Sequence, residues 1–133
     1  MLLQWVMRPT GLCARFHKAV ELIGRRWSGA IIQILLQGPS RYAELRAAIP
    51  DITDRMLSER LRELEDENIV HRTVIPETPV RVEYSLTPKG RALSPALAAI
   101  GQWAEKWVDE SGRARPAAHG ARRGETMRSG IRG

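Results

Sequence analysis

The sequence predicts a mainly α-helical domain that carries one small two-stranded β-hairpin. Three observations lead there. Apolar residues recur at helical spacing from Phe16 to Leu64. The period falls to two between Val80 and Leu86. After Thr87-Pro88 the helical period returns and runs to Trp107.

Residues 1–12 contain Pro9 and Gly11, show no period, and read as a flexible N-terminal arm. Phe16, Ala19, Val20 and Ile23 predict a first helix ending near Gly24. Trp27, Ile31, Ile34 and Leu35 form the stripe of a second, stopped by Gly38-Pro39. Ser40 is the expected N-cap of a shorter third helix bearing Tyr42, Leu45 and Ile49, ended by Pro50. The fourth helix is the clearest. Thr53 can cap it, Asp54 suits its positive N-terminus, Leu57, Leu61 and Leu64 make its seam, and Asn68 can end it in a left-handed conformation.

Val80, Val82, Tyr84 and Leu86 alternate with Arg81, Glu83 and Ser85, as in a strand with one buried face. Its partner is the β-branched stretch from Ile69 to Ile75, and Pro76-Glu77-Thr78-Pro79 makes the tip between them. A last helix opens at Thr87-Pro88 and carries Leu93, Leu97, Ile100, Ala104 and Trp107; Pro95 should kink it or split off its first turn. From Ser111 onward the chain has almost nothing to bury, so 111–133 reads as a disordered basic tail behind a single domain over 13–110.

Composition bounds the function. With 43% apolar and 27% charged residues in 133, the chain suits one soluble globular domain. Its longest apolar stretch, Ala30 to Leu36, is far too short to span a bilayer, and the opening residues lack the pattern of a secretory signal. Cys13 is the single cysteine, which suits a reducing cytoplasm. His17, His71 and His119 share no ligand spacing, so neither a metal nor a cofactor is expected. No nucleophile and base stand at a catalytic spacing and no Gly-rich phosphate cradle occurs, which argues against an enzyme. The net charge of +6 is unevenly spread. The tail from 111 holds six arginines against Glu125, whereas residues 1–110 hold fifteen basic and fourteen acidic groups. Nucleic-acid binding by the body must therefore follow from where its arginines sit.

Three helices followed by a hairpin is the winged helix–turn–helix plan, here with an extra C-terminal helix suited to dimerisation. With the leucine seam inward, the fourth helix turns Arg55, Glu59, Arg62 and Asp66 outward, flanked by Ser58 and Glu63. Arginine can pair with guanine and a carboxylate can accept from cytosine. The later acids Glu63, Glu65, Asp66 and Glu67 repel phosphate, so the N-terminal half should be the part that approaches DNA. A merely solvated helix face has the same pattern. Arg41, Arg72 and Arg81, near or on the hairpin, tip the balance toward DNA, since such arginines meet backbone phosphates.

From Cys13 to Trp107 the chain resembles the HxlR-type winged helix–turn–helix regulators, relatives of the MarR type. The matching residues are Leu22-Ile23-Gly24 with Trp27, Arg41 to Leu45, the run Ile52 to Glu65, and Pro76-Glu77 followed by Pro79 to Thr87. The resemblance implies a cytoplasmic homodimer on a partly palindromic double-stranded operator, with the recognition helix over about 53–67 and the wing over about 76–81. It implies base reading by Thr53, Arg55, Ser58, Glu59 and Arg62, and backbone contact by Arg81 with the tip. It also implies a dimer interface of the first and last helices, where Val20, Leu97, Ile100, Trp103 and Trp107 are the candidates.

Some members of that family sense oxidants or electrophiles through an N-terminal cysteine, and Cys13 holds the matching position, with Arg15 and Lys18 near it to favour the thiolate. A lone cysteine is otherwise a small buried hydrophobe. A small-molecule effector fits the related regulators, although no residue identifies one. The tail is either a solvated extension or a sequence-blind tether on DNA. The reading from another class is a winged-helix module for protein–protein contact, without specific DNA binding.

Overall fold

The structure is a computed structural model and describes residues 13–115. The arm expected over 1–12 and the part of the expected tail beyond Arg115 lie outside the described residues. In chain order the elements are α1 (Ala14–Gly24), α2 (Ser28–Leu36), β1 (Ser40–Arg41), α3 (Tyr42–Ala48), α4 (Asp54–Asp66), β2 (Val70–Ile75), β3 (Arg81–Leu86), α5 (Pro88–Arg91) and α6 (Ser94–Trp107). They fall into two compact units, the first ending at Ser94 and the second beginning at Pro95.

The core of the first unit is built from Ile31, Ile32 and Leu35 of α2, Leu45 of α3 with Ile49 and Ile52 beyond it, and Leu57, Leu61 and Leu64 of α4, closed by Ile69, Val70 and Leu86. Each such side chain is worth about 1.5–3 kcal/mol when taken out of water. α1 buries none of its residues, and its Phe16 and Val20 remain exposed.

Local chemistry sets the ends of α4. Thr53 Oγ1 accepts from the Met56 N–H at 3.1 Å. At the other end Asn68 takes φ 59°. Its N–H reaches the Glu65 carbonyl at 2.9 Å and that of Ile69 reaches the Leu64 carbonyl at 2.8 Å, the paired bonds of a Schellman motif. Lys89 Nζ donates to the Glu67 carbonyl at 2.6 Å, giving one of the last carbonyls of the helix a partner. Thr87 Oγ1 then caps α5 by accepting from the Gly90 N–H at 3.0 Å, and donates to the Asn68 carbonyl at 2.7 Å.

The sheet has three strands in the order β1-β3-β2, one more than expected. Ser40 and Arg41 pair with Tyr84 and Glu83. Ser40 is therefore a buried strand residue rather than a helix cap, and the N-cap of α3 is Arg41, whose N–H donates to Glu44 Oε1 at 3.1 Å. β2 runs antiparallel to β3 from Val70 opposite Leu86 to Ile75 opposite Arg81. The face expected to be buried in β3 is closed only at Leu86, and Val80 lies outside the strand, exposed.

In the second unit, α6 is followed by a tight turn around Asp109. Its Oδ1 accepts from the Ser111 hydroxyl at 2.6 Å and from the Arg113 N–H at 2.8 Å, which holds its carboxyl below the usual carboxylate range. Val108 then bridges to Ala114. Within the stretch expected as tail, Ser111 and Arg113 thus donate to the Asp109 carboxylate, while the Gly112 and Arg115 N–H groups donate to the Asp109 and Trp107 carbonyls.

Candidate nucleic-acid interface

The first turn of α4 is pinned from below. Tyr42 Oη, at the start of α3, donates to the Asp54 carbonyl at 3.0 Å and lies 3.2 Å from its Oδ1 and 3.3 Å from Ser58 Oγ. Arg46 Nε, one turn further along α3, donates to Asp54 Oδ1 at 3.0 Å. Asp54 therefore suits the helix N-terminus, as the sequence suggests, and also ties α3 to α4.

Two stripes two residues out of phase divide the helix. Leu57, Arg60, Leu61 and Leu64 are buried. Arg55, Ser58, Glu59 and Arg62 repeat the same i, i+3, i+4, i+7 spacing on the other side, and all but the partly covered Glu59 are exposed. The Arg55 side chain is 87% exposed and its Nε donates to Glu59 Oε1 at 3.2 Å. Arg62 has no acidic partner among the described residues. Thr53, exposed at the cap, stands at the head of this stripe. The outward surface thus holds two guanidinium groups, two hydroxyls and one carboxylate, a set able to donate to guanine and accept from cytosine.

Arg60 was not foreseen. It is 8% exposed, its Nε donates to the Arg26 carbonyl at 2.9 Å, and its Nη1 donates to both oxygens of Glu63 at 3.0 and 3.1 Å. Arg25 reaches Glu63 at 3.4 Å as well. The pair of arginines and the carboxylate fasten α4 to the turn between α1 and α2, where Trp27 sits at φ 76° beneath the Arg26 guanidinium. Spacing from Leu57 and Leu61 places Arg60 on the buried stripe, a signal that was legible.

The three hairpin arginines do not form one patch. By the register, Arg41 and Arg81 lie on the sheet face of Glu83, and Arg72 lies on the other with Tyr84 and Val82. Arg81 is held between Glu77 at 3.2 Å and Glu83 at 3.5 Å. Arg41 stands 3.6 Å from Glu44. Arg72 is exposed and has no acidic partner among the described residues.

The model of the HxlR-like helix-turn-helix family matches residues 22–112 of this chain. The uncharacterised HTH-type transcriptional regulator YvaP of Bacillus subtilis (strain 168) is 52% identical over 105 residues, 79% of this chain and 97% of that protein. The chain belongs to the HxlR-like family. The HTH-type transcriptional regulator YodB of the same organism is 45% identical over 98 residues, 74% of this chain and 88% of its own. Among solved structures, the reduced form of YodB superposes with a TM-score of 0.67 at 46% identity, covering 72% of this chain and 94% of that one. The redox regulator HypR in its oxidised form gives 0.68 at 40% identity, covering 72% and 99%. The chain is thus a DNA-binding transcriptional regulator with the winged-helix fold, in a family of regulators rather than enzymes.

In this HxlR-like regulator the candidates for dimer contact separate into two groups. Val20, Ile100, Trp103 and Trp107 are exposed, Trp103 by 61%. Leu97, expected beside them, is 7% exposed. Cys13 is buried and stands at the N-cap of α1, its carbonyl accepting from the His17 N–H at 3.0 Å. Among the described residues no helix is long and apolar enough to cross a membrane.

Proposed function

We propose that the chain works as a homodimer on a partly palindromic double-stranded operator. α4 enters the major groove through Thr53, Arg55, Ser58, Glu59 and Arg62, and the wing around 76–81 lies along the backbone with Arg41, Arg72 and Arg81 near it. The observation that carries this reading is the outward stripe Arg55-Ser58-Glu59-Arg62, exposed apart from the partly covered Glu59, set over a buried leucine seam. Dimerisation is supported by the exposed apolar residues Phe16 and Val20 on α1 and Ile100, Trp103 and Trp107 on α6, which water does not favour. Two recognition helices of such a dimer fall about 34–36 Å apart, one turn of DNA.

Selection of bound DNA from a random pool, with light scattering on the same protein, tests it. The expected results are a dimer at micromolar concentration and a site of two related half-sites one turn apart. A monomer that enriches no sequence overturns the reading and leaves the protein-contact module in its place.

A response to oxidants or electrophiles at Cys13 is the second element. It is supported by the position of Cys13 at the start of α1 with Arg15 and Lys18 following, and by likeness to YodB, solved also in quinone-bound form. Diamide should alter DNA affinity of the native protein and leave Cys13→Ser unmoved; equal sensitivity of the two proteins rejects it.

A further inference from the structure

Tyr42 is half-buried at the start of α3, and its hydroxyl sits among three oxygens of the first turns of α4. These are the Asp54 carbonyl at 3.0 Å, Asp54 Oδ1 at 3.2 Å and Ser58 Oγ at 3.3 Å. Arg46 Nε donates to the same Oδ1 at 3.0 Å. Arg55 and Glu59 bond to each other within α4. Ser58, on the same outward stripe, reaches a residue of α3 instead.

The donors and acceptors of this cluster fix its direction. A phenol carries one proton, whereas the carbonyl and carboxylate oxygens of Asp54 only accept. The Tyr42 proton therefore goes to Asp54, and Ser58 meets the lone pairs of Oη. Ser58 gives its single proton to Tyr42, and its own lone pairs are what this exposed residue offers outward. The run is thus Ser58 to Tyr42 to Asp54, each bond polarising the next, with Arg46 donating to Asp54 from its other side. At 3.3 Å the bond from Ser58 is longer than the usual hydroxyl spacing of about 2.7–2.8 Å, so it biases the hydroxyl rather than locking it.

We propose that Tyr42 is a positioning residue that makes Ser58 an acceptor toward DNA. Ser58 would then select a base with an exocyclic amino group in the major groove, adenine through N6 or cytosine through N4. Thymine and guanine present O4 and O6 there and would be disfavoured. A serine hydroxyl with no such neighbour donates or accepts and separates none of these. This role rests on the proposed reading in which α4 enters the groove. To that reading it adds the base chemistry of one side chain and a part for α3 in setting it.

The test is selection of bound DNA from a random pool by the native protein, Tyr42→Phe, Ser58→Ala and the double variant. Competition binding on duplexes changed at one base pair follows. Ser58→Ala identifies the position Ser58 reads, as the one where discrimination is lost. There the native protein should prefer adenine or cytosine about fivefold, the worth of one neutral hydrogen bond. Tyr42→Phe keeps the ring and removes the hydroxyl. It should bring that preference below about twofold and leave the other positions of the site as they were. Added to Ser58→Ala, it should change no base preference, because its effect passes through the serine. The native preference, measured against Ser58→Ala, does not depend on how well Tyr42→Phe folds.

Thymine or guanine preferred at that position, or Ser58→Ala relaxing no position, overturns this role while the DNA reading stands. So does a Tyr42→Phe that weakens all sequences alike, or that still alters base preference without Ser58. A native protein that enriches no sequence overturns the DNA reading and this role together.

Discussion

The guanidinium of Arg60 donates to the backbone carbonyl of Arg26 at 2.9 Å, across thirty-four residues of sequence. That bond joins the buried side of α4 to the turn ahead of α2, and the same side chain holds Glu63. Removing it leaves a partly buried carbonyl without its donor. Arg60→Ala should lower unfolding stability by about 2 kcal/mol in urea denaturation, within the range for hydrogen bonds to charged groups. Arg55→Ala, on the solvent side of the same helix, should stay within about 0.5 kcal/mol of the native protein. Equal losses for both would refute the asymmetry.

On the proposed DNA reading, Arg55→Ala and Arg62→Ala should each relax preference at particular base positions, by about 1–3 kcal/mol. Glu59 is bonded to Arg55, so Glu59→Ala has a different signature. It should tighten binding to random DNA and steepen the salt dependence while flattening discrimination at one position. Competition binding on selected and scrambled duplexes over a salt series separates the two outcomes.

The hairpin arginines should differ in the same series. Arg72 carries an uncompensated charge, so Arg72→Ala should reduce the slope of log affinity against log salt by about one if it meets a phosphate. Arg81 is flanked by Glu77 and Glu83, so Arg81→Ala should reduce it by less and Glu77→Ala should increase it. Identical slopes for all three variants would count against the difference in acidic pairing.

A Cβ added at Gly90 would collide with the Ile69 carbonyl oxygen and press on Leu86. Gly90→Ala should therefore destabilise by about 1–3 kcal/mol, as overpacking does. Gly101, within α6, has nothing within 4 Å of such an atom. Gly101→Ala should stabilise by up to about 1 kcal/mol through helix propensity. Thermal melts of the two variants check the opposite signs.

The Lys18–Glu67 bond makes stability depend on pH at both ends of the scale. The hydrogen bond from Lys18 holds the Glu67 carboxyl below its ordinary value of 4.5. Its contribution is present above that value and is lost as pH falls through the lowered one. The same bond raises Lys18 above 10.5, so that contribution is present below 10.5 and fades as pH rises through the raised value. Lys18 is exposed and Glu67 only partly covered, so the effect should be small. The melting temperature of the native protein should exceed that of Glu67→Gln at pH 7, and the gap should close as pH drops below about 4.5. A constant gap would reject the linkage.

Caps and seams were readable because they obey short-range rules. Thr53 and Asn68, and Thr87 in its capping bond to Gly90, act on groups within five residues, and Leu57, Leu61 and Leu64 follow a period that one helix alone imposes. β1 was not readable. Two residues show no alternation, and their partners Tyr84 and Glu83 lie more than forty positions on. Ser40 consequently looked like a cap, since serine before an apolar period is the usual sign of one. Arg60 is legible only by its spacing. Its type argues for solvent while its spacing argues for the interior, and only the Arg26 carbonyl and Glu63 make burial affordable.

By itself the order of residues settled the type and succession of the helices, the hairpin, the family likeness and which side of α4 faces outward. These depend on periodicity and on neighbours a few positions away. Tertiary structure decided the third strand, the opposite faces of Arg41 and Arg72, and the partners that bury Arg60. Each depends on which distant backbone or charge arrives alongside, and a residue's own type and spacing carry no record of that.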